Sequence, residues 1–170
     1  MEISKKEKRL LVFQFAFLML FGIIVFLTSS PQGLSPISGK AIANNDFIFE
    51  KGNVNTQFSL FSHGGSLNDI VFRTFHTGDG TFNTFSVNKT TVGITTNNWY
   101  HIVGSWDGST KRIFINGIQV GSTAKTGNLV TTNAGASVGR FGGTTTGYYW
   151  GGYISKIAVY NKGLTATEIQ

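Results

Sequence analysis

The chain has 170 residues, room for one domain and a short extension, and without cysteine it can form neither disulfides nor thiolate metal sites. Aromatic residues reach 14%, charged residues only 13%, and there are 22 glycines, a composition that favours short strands and tight turns over helices. The net charge is +6, but no basic stripe interleaved with aromatic residues occurs, which argues against a nucleic-acid partner.

The chain opens with a short basic segment followed by a long apolar run. Residues 1–9 hold four cations, and residues 10–28 are apolar apart from Gln14 and the final Thr28. Nineteen helical residues would span about 28 Å, close to a hydrocarbon core of ~30 Å. We therefore predict a cytoplasmic segment (1–9) and a single transmembrane signal-anchor helix (10–28), with the rest of the chain extracellular. A cleaved signal peptide is the alternative, although its apolar region is usually only about 7–15 residues long.

Residues 29–45 have the composition of a linker. Both prolines, Pro31 and Pro36, lie here among Ser, Gly and Asn. We expect this segment to hold a folded domain, residues 46–170, away from the membrane.

The domain shows no sustained helical period. Short runs of aromatic and β-branched residues recur at roughly 8–12 positions between turn residues, which predicts an all-β antiparallel sandwich or barrel. The dipeptides Asp107-Gly108 and Asn116-Gly117 are strong hairpin signals. We predict strands near residues 47–51, 57–62, 69–76, 81–87, 99–106, 112–116, 136–140 and 152–160.

One stretch carries a family resemblance. Residues 99–120 read WYHIVGSWDGSTKRIFINGIQV, and the succession W-x-H, D-G and I-N-G closely resembles the central hairpin of laminin G-like domains. Residues 47–52, 137–140 and 152–169 resemble other segments of the same domains, in the same order. The resemblance covers residues 47–170 and implies the jelly-roll sandwich of the concanavalin A-like lectin/glucanase superfamily. It does not specify a ligand, because this fold serves many functions.

The sequence departs from the family pattern in two places. Ser155 and Lys156 stand where the family has an Asp-Glu pair in its closing strand. The strands that open family members are missing, because linker and apolar run occupy their place. We therefore expect a sandwich without its first strands, with an open sheet edge that the linker, a second copy or a protein partner covers.

No residue is predicted to be catalytic. Retaining glycosidases need two carboxylates about 5–5.5 Å apart, and no two acids of the domain lie two or three residues apart in sequence. The three histidines, His63, His76 and His101, are dispersed and do not form a zinc-binding pattern. The acids of the domain are Asp46, Glu50, Asp69, Asp79, Asp107 and Glu168.

Six residues are candidates for binding or modification. The aromatic residues Tyr148, Tyr149 and Trp150 suit stacking on sugar rings, although Trp150 can instead pack into the core. Laminin G-like domains often bind one calcium ion, and the resemblance leaves Asp69 and Asp79 as candidate carboxylate ligands, so calcium is a candidate cofactor and no other is predicted. A sequon makes Asn88 a candidate N-glycosylation site.

These observations predict a membrane-anchored, non-catalytic, lectin-like adhesion module outside the cell. Its expected partner is a glycan or a glycoprotein. One alternative is a subunit of a cell-surface complex that binds a protein through the open sheet edge. A glucanase-like glycoside hydrolase is a weaker alternative, since paired acids are lacking.

Overall fold

The computed structural model describes residues 22–26 (backbone only), 46–52, 57–64, 67–142 and 148–170. Within these ranges the chain forms ten strands and one short helix. The bounds are β1 Gly22–Phe26, β2 Asp46–Lys51, β3 Phe58–Ser62, β4 Asp69–Phe75, β5 Phe82–Asn88, β6 Ile102–Trp106, β7 Thr110–Ile115, β8 Ile118–Ala124, β9 Ala136–Val138, β10 Lys156–Tyr160 and α1 Ala166–Ile169.

The strands form two five-stranded sheets. Sheet A has the order β10-β1-β6-β7-β8, and sheet B has the order β5-β4-β3-β2-β9. All ladders between the described strands are antiparallel. The all-β sandwich predicted from the sequence is confirmed, and it is consistent with a concanavalin A-like jelly roll.

The main core lies between the sheets. Leu60 and Phe72 contribute from sheet B, and Trp106 and Ile113 contribute from sheet A. The sheets approach so closely that a Cβ on Gly104 would lie 2.7 Å from Cδ2 of Phe72. A second, smaller cluster lies on the outer face of sheet A. There Leu164, just before the N-cap of α1, and Ile169, at the end of α1, pack against β6 and β7.

The predicted hairpins are present. Asn116 and Gly117 both have positive φ, 51° and 78°, as a two-residue type I′ turn between β7 and β8 requires. In the turn between β6 and β7, Gly108 has φ 94° and the Asp107 carboxylate accepts hydrogen bonds from two backbone N–H groups. These turns place consecutive strands side by side and so fix the register of sheet A.

Strand β8 was not predicted. Its sequence, IQVGSTA, lacks a clean alternation of apolar and polar residues, and Ile118 at its start is 69% exposed. Gly121 is instead explained by close packing between the sheets. A Cβ there would lie only 3.0 Å from side-chain atoms of both Phe85 and Val87 of sheet B. This close contact between sheets is invisible in a local sequence pattern.

The apolar N-terminal run differs from the expectation. Its described residues, Gly22–Phe26, form strand β1 between β10 and β6, with five residue pairs to β10 and one, Val25 with Ile102, to β6. β1 thus fills a position that we expected to be vacant, since the apolar, β-branched sequence GIIVF suits a central strand.

The rest of the predicted transmembrane helix, residues 10–21 and 27–28, lies outside the described residues, as do the cytoplasmic segment (1–9) and the linker (29–45). No helix in the described part of the chain is long and apolar enough to cross a membrane. The membrane anchor therefore stays a prediction.

Candidate functional site

Sheet B carries a third apolar cluster, on the face that points away from the main core. Successive side chains of a strand point to opposite faces, and Phe61 and Val71 alternate with the core residues Leu60 and Phe72. Phe61 and Val71 therefore lie on the outer face, where they cluster with Phe47. Outward-facing residues of sandwich sheets are usually polar, so this face is unusual.

A row of aromatic rings crosses this outer face. Phe47 stacks on Phe61 with ring centres 4.8 Å apart, and Phe75 contacts Phe82 edge to face at 5.5 Å. The guanidinium of Arg73 lies between the two pairs, with Cζ 4.5 Å from the ring centre of Phe61 and 4.6 Å from that of Phe82. We call these five residues the aromatic row.

A row of polar residues runs beside the aromatic one. The register of sheet B places Glu50, Ser59, Arg73 and Thr84 next to one another on strands β2 to β5. Glu50 and Ser59 are fully buried, Arg73 is half-buried, and Thr84 is exposed. The polar row therefore leads from solvent at β5 to a buried carboxylate at β2.

The electrostatics of the face centre on Arg73. Burial lowers the pKa of Arg73, and the negative charge of Glu50 opposes this effect. An arginine stays protonated at neutral pH even when its pKa is lowered somewhat. Its Nε is buried and, within the described part of the chain, has no hydrogen-bond partner. The face thus holds a positive charge whose hydrogen-bonding capacity is not fully used.

The three predicted ligand residues lie in three different environments. Tyr148 joins the outer cluster, with its ring centre 6.4 Å from that of Phe47 and 5.9 Å from that of Phe141. Tyr149 is 55% exposed. Trp150 packs against the main core, in agreement with the alternative stated for it. Tyr148 therefore lies on the outer face beside β2, Tyr149 is bridged to Phe47 of that strand, and Trp150 does not belong to the face.

Gly142 lies at the buried end of the polar row. The N–H of Gly142 donates to Oε2 of Glu50 at 2.5 Å. A Cβ on Gly142 would lie 2.8 Å from Oγ of Ser137 and 2.9 Å from the carbonyl oxygen of Gly52, so only glycine fits here. Residues 143–147, between Gly142 and Tyr148, lie outside the described residues.

The two predicted calcium ligands are not brought together. Asp69 begins β4, where it accepts a hydrogen bond from Ser86 Oγ at 2.9 Å, whereas Asp79 follows the other end of that strand. Asp79 pairs with the Lys125 ammonium at 2.7 Å, and the hydrogen bond from Lys125 is the main cause of the lowered pKa of Asp79. A carboxylate held by an ammonium does not fit a calcium shell. The described residues contain no group of three or more His, Asp or Glu side chains that could hold a metal ion.

Asn88, the predicted glycosylation site, is exposed at the end of β5. Its Oδ1 accepts from the backbone N–H groups of Thr90 and Thr91 at 3.1 and 3.3 Å, so the side chain also stabilises the following turn. Glycosylation at Asn88 stays a prediction.

Sequence reasoning missed the central residues of the outer face, Arg73, Phe61 and Phe82. A signal was present, because β3 and β4 read FSLFS and DIVFRTF, with apolar residues on both faces rather than one. Such a pattern indicates a strand that is covered on both sides.

Comparisons with known proteins agree with this fold. Residues 38–170 match the Laminin_G_3 family model, described as concanavalin A-like lectin/glucanases superfamily. The CBM40 of a Ruminococcus gnavus IT-sialidase is similar, with TM-score 0.62 and 15% identity over 89% of this chain and 82% of that chain. The same module bound to α2,3 sialyllactose gives TM-score 0.64 and 13% identity over the same shares of the two chains. No curated protein matches the chain.

Proposed function

The chain belongs to the concanavalin A-like lectin/glucanases superfamily, and on this premise we propose that it binds glycans through the outer face of sheet B. The observation that carries this proposal is the aromatic row with the polar row beside it. A sugar ring has an apolar C–H face that stacks on aromatic rings, while its hydroxyl groups need hydrogen-bond partners.

Accessible groups remain at both ends of the aromatic row. Tyr149 is exposed and Tyr148 half-buried at the β2 side, and Phe82 is half-buried at the β5 side. Thr84 and Ser86 present exposed hydroxyl groups next to Phe82. The β2 and β5 strands are three strand spacings apart, about 14 Å, so the face has room for more than one sugar residue. The neighbouring CBM40 bound to sialyllactose supports a saccharide as the type of ligand.

We propose binding without chemistry. Three acids of the domain are ion-paired, and Glu50 is buried with an oxygen that accepts the Gly142 N–H. Carboxylates engaged in this way are poor candidates for the general acid and the nucleophile of a glycosidase, which need accessible groups about 5–5.5 Å apart. The ion pairs are Asp79–Lys125, Asp107–Arg112 and Glu168–Lys162.

We also propose that the module is displayed on the outside of a membrane. Support comes from the four cations of residues 1–9 and the apolar run that follows them. Residues 22–26 cannot lie in a bilayer-spanning helix and in β1 at the same time. Insertion of the whole run 10–28 into a membrane would therefore remove β1 from sheet A.

A glycan array with the full-length chain in mild detergent tests the proposal. We expect enrichment of a defined group of saccharides. Phe82→Ala and Tyr148→Ala should each weaken binding by about tenfold, because stacking on an aromatic ring contributes roughly 1 kcal/mol or more. Tyr160→Ala is the matched control, since Tyr160 is 41% exposed on β10 of sheet A. No enrichment of any saccharide, or equal losses in all three variants, would contradict glycan binding at this face.

A further inference from the structure

Arg73 is held in place by aromatic rings, and the negative charge of Glu50 in the buried part of the polar row acts on it. Its guanidinium lies between the rings of Phe61 and Phe82, which hold it by cation–π contacts on two sides. Its Nε is buried and has no hydrogen-bond partner among the described residues. A partly buried guanidinium loses hydration, and it regains that free energy only when an anion or other acceptor binds to it.

The rings restrict the shape of the anion that can approach. Cζ of Arg73 lies over two rings, so an anion must approach the guanidinium past Phe61 and Phe82 and bind its N–H groups, which lie in the guanidinium plane. A carboxylate is also planar, and its two oxygens match the fork of an arginine in a bidentate pair. Tetrahedral oxyanions also accept from an arginine fork, but only a carboxylate shares the planar shape of the guanidinium.

The neighbours of half-buried Arg73 in the polar row are exposed on one side only. Towards β2 the polar row is buried, with Ser59 and Glu50 fully covered. Towards β5 the next residue in register is Thr84, which is exposed. An anion that reaches Arg73 from this side finds a hydroxyl group beside it and an aromatic ring, Phe82, below it. Hydroxyl donors and a ring next to an arginine suit an acidic sugar better than a free ion.

We propose that Arg73 binds the carboxylate of an acidic sugar residue, which makes the module selective for carboxylate-bearing glycans. This inference rests on the proposed glycan-binding function at the same face and names the class of its ligand. Phe61 and Phe82 act as positioning residues that hold the guanidinium in place.

Titration of the full-length chain in mild detergent tests this inference. The probes are α2,3-sialyllactose, lactose and a 3′-sulfated lactose, and chemical shifts or heats of binding give the affinities. We expect sialyllactose to bind about 10-fold to 100-fold more tightly than lactose, as a charge-assisted bidentate pair predicts. Sulfated lactose should fall between the two.

Variants assign the preference to one side chain. Arg73→Gln should remove the preference for sialyllactose over lactose, and Arg73→Lys should retain only part of it, because an ammonium keeps the charge but lacks the fork. Lys162→Gln is the matched control, since it makes the same change of charge at an exposed residue beside α1. Circular dichroism and melting temperature confirm that each variant is folded, and Arg73→Lys keeps the test decisive if Arg73→Gln does not fold.

The outcomes separate this inference from the proposed function. Binding of neutral and acidic glycans with equal affinity, or a preference that survives in Arg73→Gln, would overturn the role of Arg73 and leave glycan binding intact. Tighter binding of sulfated lactose than of sialyllactose would overturn the carboxylate assignment. Absence of binding to every glycan on the array would remove the proposed function itself.

Discussion

Lys111 is a lysine whose side chain lies inside the sandwich. It is two residues from the core residue Ile113 on β7 and therefore shares its inward-facing side, where it is fully buried. Its Nζ donates to the carbonyl oxygen of Asn83 at 2.6 Å and lies 5.6 Å from the ring centre of Phe72. Burial lowers the pKa of Lys111 to about 7, and repulsion by Lys125 acts in the same direction. The folded protein therefore disfavours the charged form of this side chain.

This residue should make stability depend on pH above neutrality. The pKa of Lys111 is about 7 in the folded state against 10.5 for an ordinary lysine, so the unfolded chain binds a proton between these values that the folded chain lacks. The free energy of unfolding should therefore rise from pH 7 to pH 10. Lys111→Met should abolish the rise and stabilise the protein at pH 7 by on the order of 1–3 kcal/mol.

Urea unfolding at pH 6, 7, 8, 9 and 10 measures this effect. Lys162→Met serves as the control, because Lys162 is exposed and its change should leave the slope unaltered. A wild-type profile that is flat over this range, or a slope that persists in Lys111→Met, would show that Lys111 does not cause the dependence.

At the scale of single elements, prediction from sequence succeeded where the signal is local. Asn116 and Gly117 must adopt positive φ in their turn, and this requirement is readable from the dipeptide alone. Strand β8 was missed because its composition reflects contacts with the other sheet. Gly121, above all, packs closely against Phe85 and Val87 there. Such requirements arise only once the sheets are packed.

The candidate site was missed for a related reason. Glu50, Ser59, Arg73 and Thr84 lie next to one another only because the register of four strands places them so. No spacing in the sequence links these positions, and each looks like an ordinary surface residue. The adjacent aromatic residues Tyr148, Tyr149 and Trp150 were easier to find, and Tyr148 does lie on the outer face.

The turn between β6 and β7 offers a prediction at the same scale. Burial raises the pKa of Asp107, but the hydrogen bonds from Arg112, Ser109 and Thr110 outweigh it and hold the pKa well below its usual range. Asp107→Ala removes the acceptor of two backbone N–H groups, at 2.9 and 2.8 Å, and should destabilise the protein by about 1–2 kcal/mol. Asp107→Asn keeps an acceptor and should cost less.

Chemical denaturation of the two variants at pH 7 measures the difference. The stabilisation by the Asp107 carboxylate is fully present above the ordinary pKa near 3.8 and is lost as the pH falls through the lowered folded pKa. The loss caused by Asp107→Ala should therefore shrink at pH 2. Equal losses for Asp107→Ala and Asp107→Asn at pH 7 would show that steric fit, rather than hydrogen bonding, decides the turn.

At the scale of the whole molecule, residues 22–26 determine how sheet A is completed. As β1 they pair with β10 and lie beside β6, so removing them leaves two strand edges without a neighbour. As part of a helix over residues 10–28 they would lie in the membrane, and sheet A would need another strand, from a partner or a second copy. The two placements predict different neighbours for the same backbone.

Engineered cysteines distinguish the two placements, because the natural chain contains no cysteine. In the sheet, Ile24 lies directly opposite Ala158. Opposed residues of antiparallel strands have Cα atoms about 4.5–5.5 Å apart, within the range that a disulfide can bridge. Ile24→Cys with Ala158→Cys should therefore form an intrachain disulfide in the full-length chain, detected by non-reducing electrophoresis and mass spectrometry.

Ile24→Cys with Tyr160→Cys is the control for register, since it shifts the pair by two residues to about 7–8 Å or more. We expect this pair to stay reduced in detergent and in membrane vesicles. A disulfide between chains instead of within one would mean that a second copy supplies the strand. Free thiols in both pairs would place residues 22–26 outside the sheet, as a membrane helix requires, and sheet A would then be open to a partner between β6 and β10.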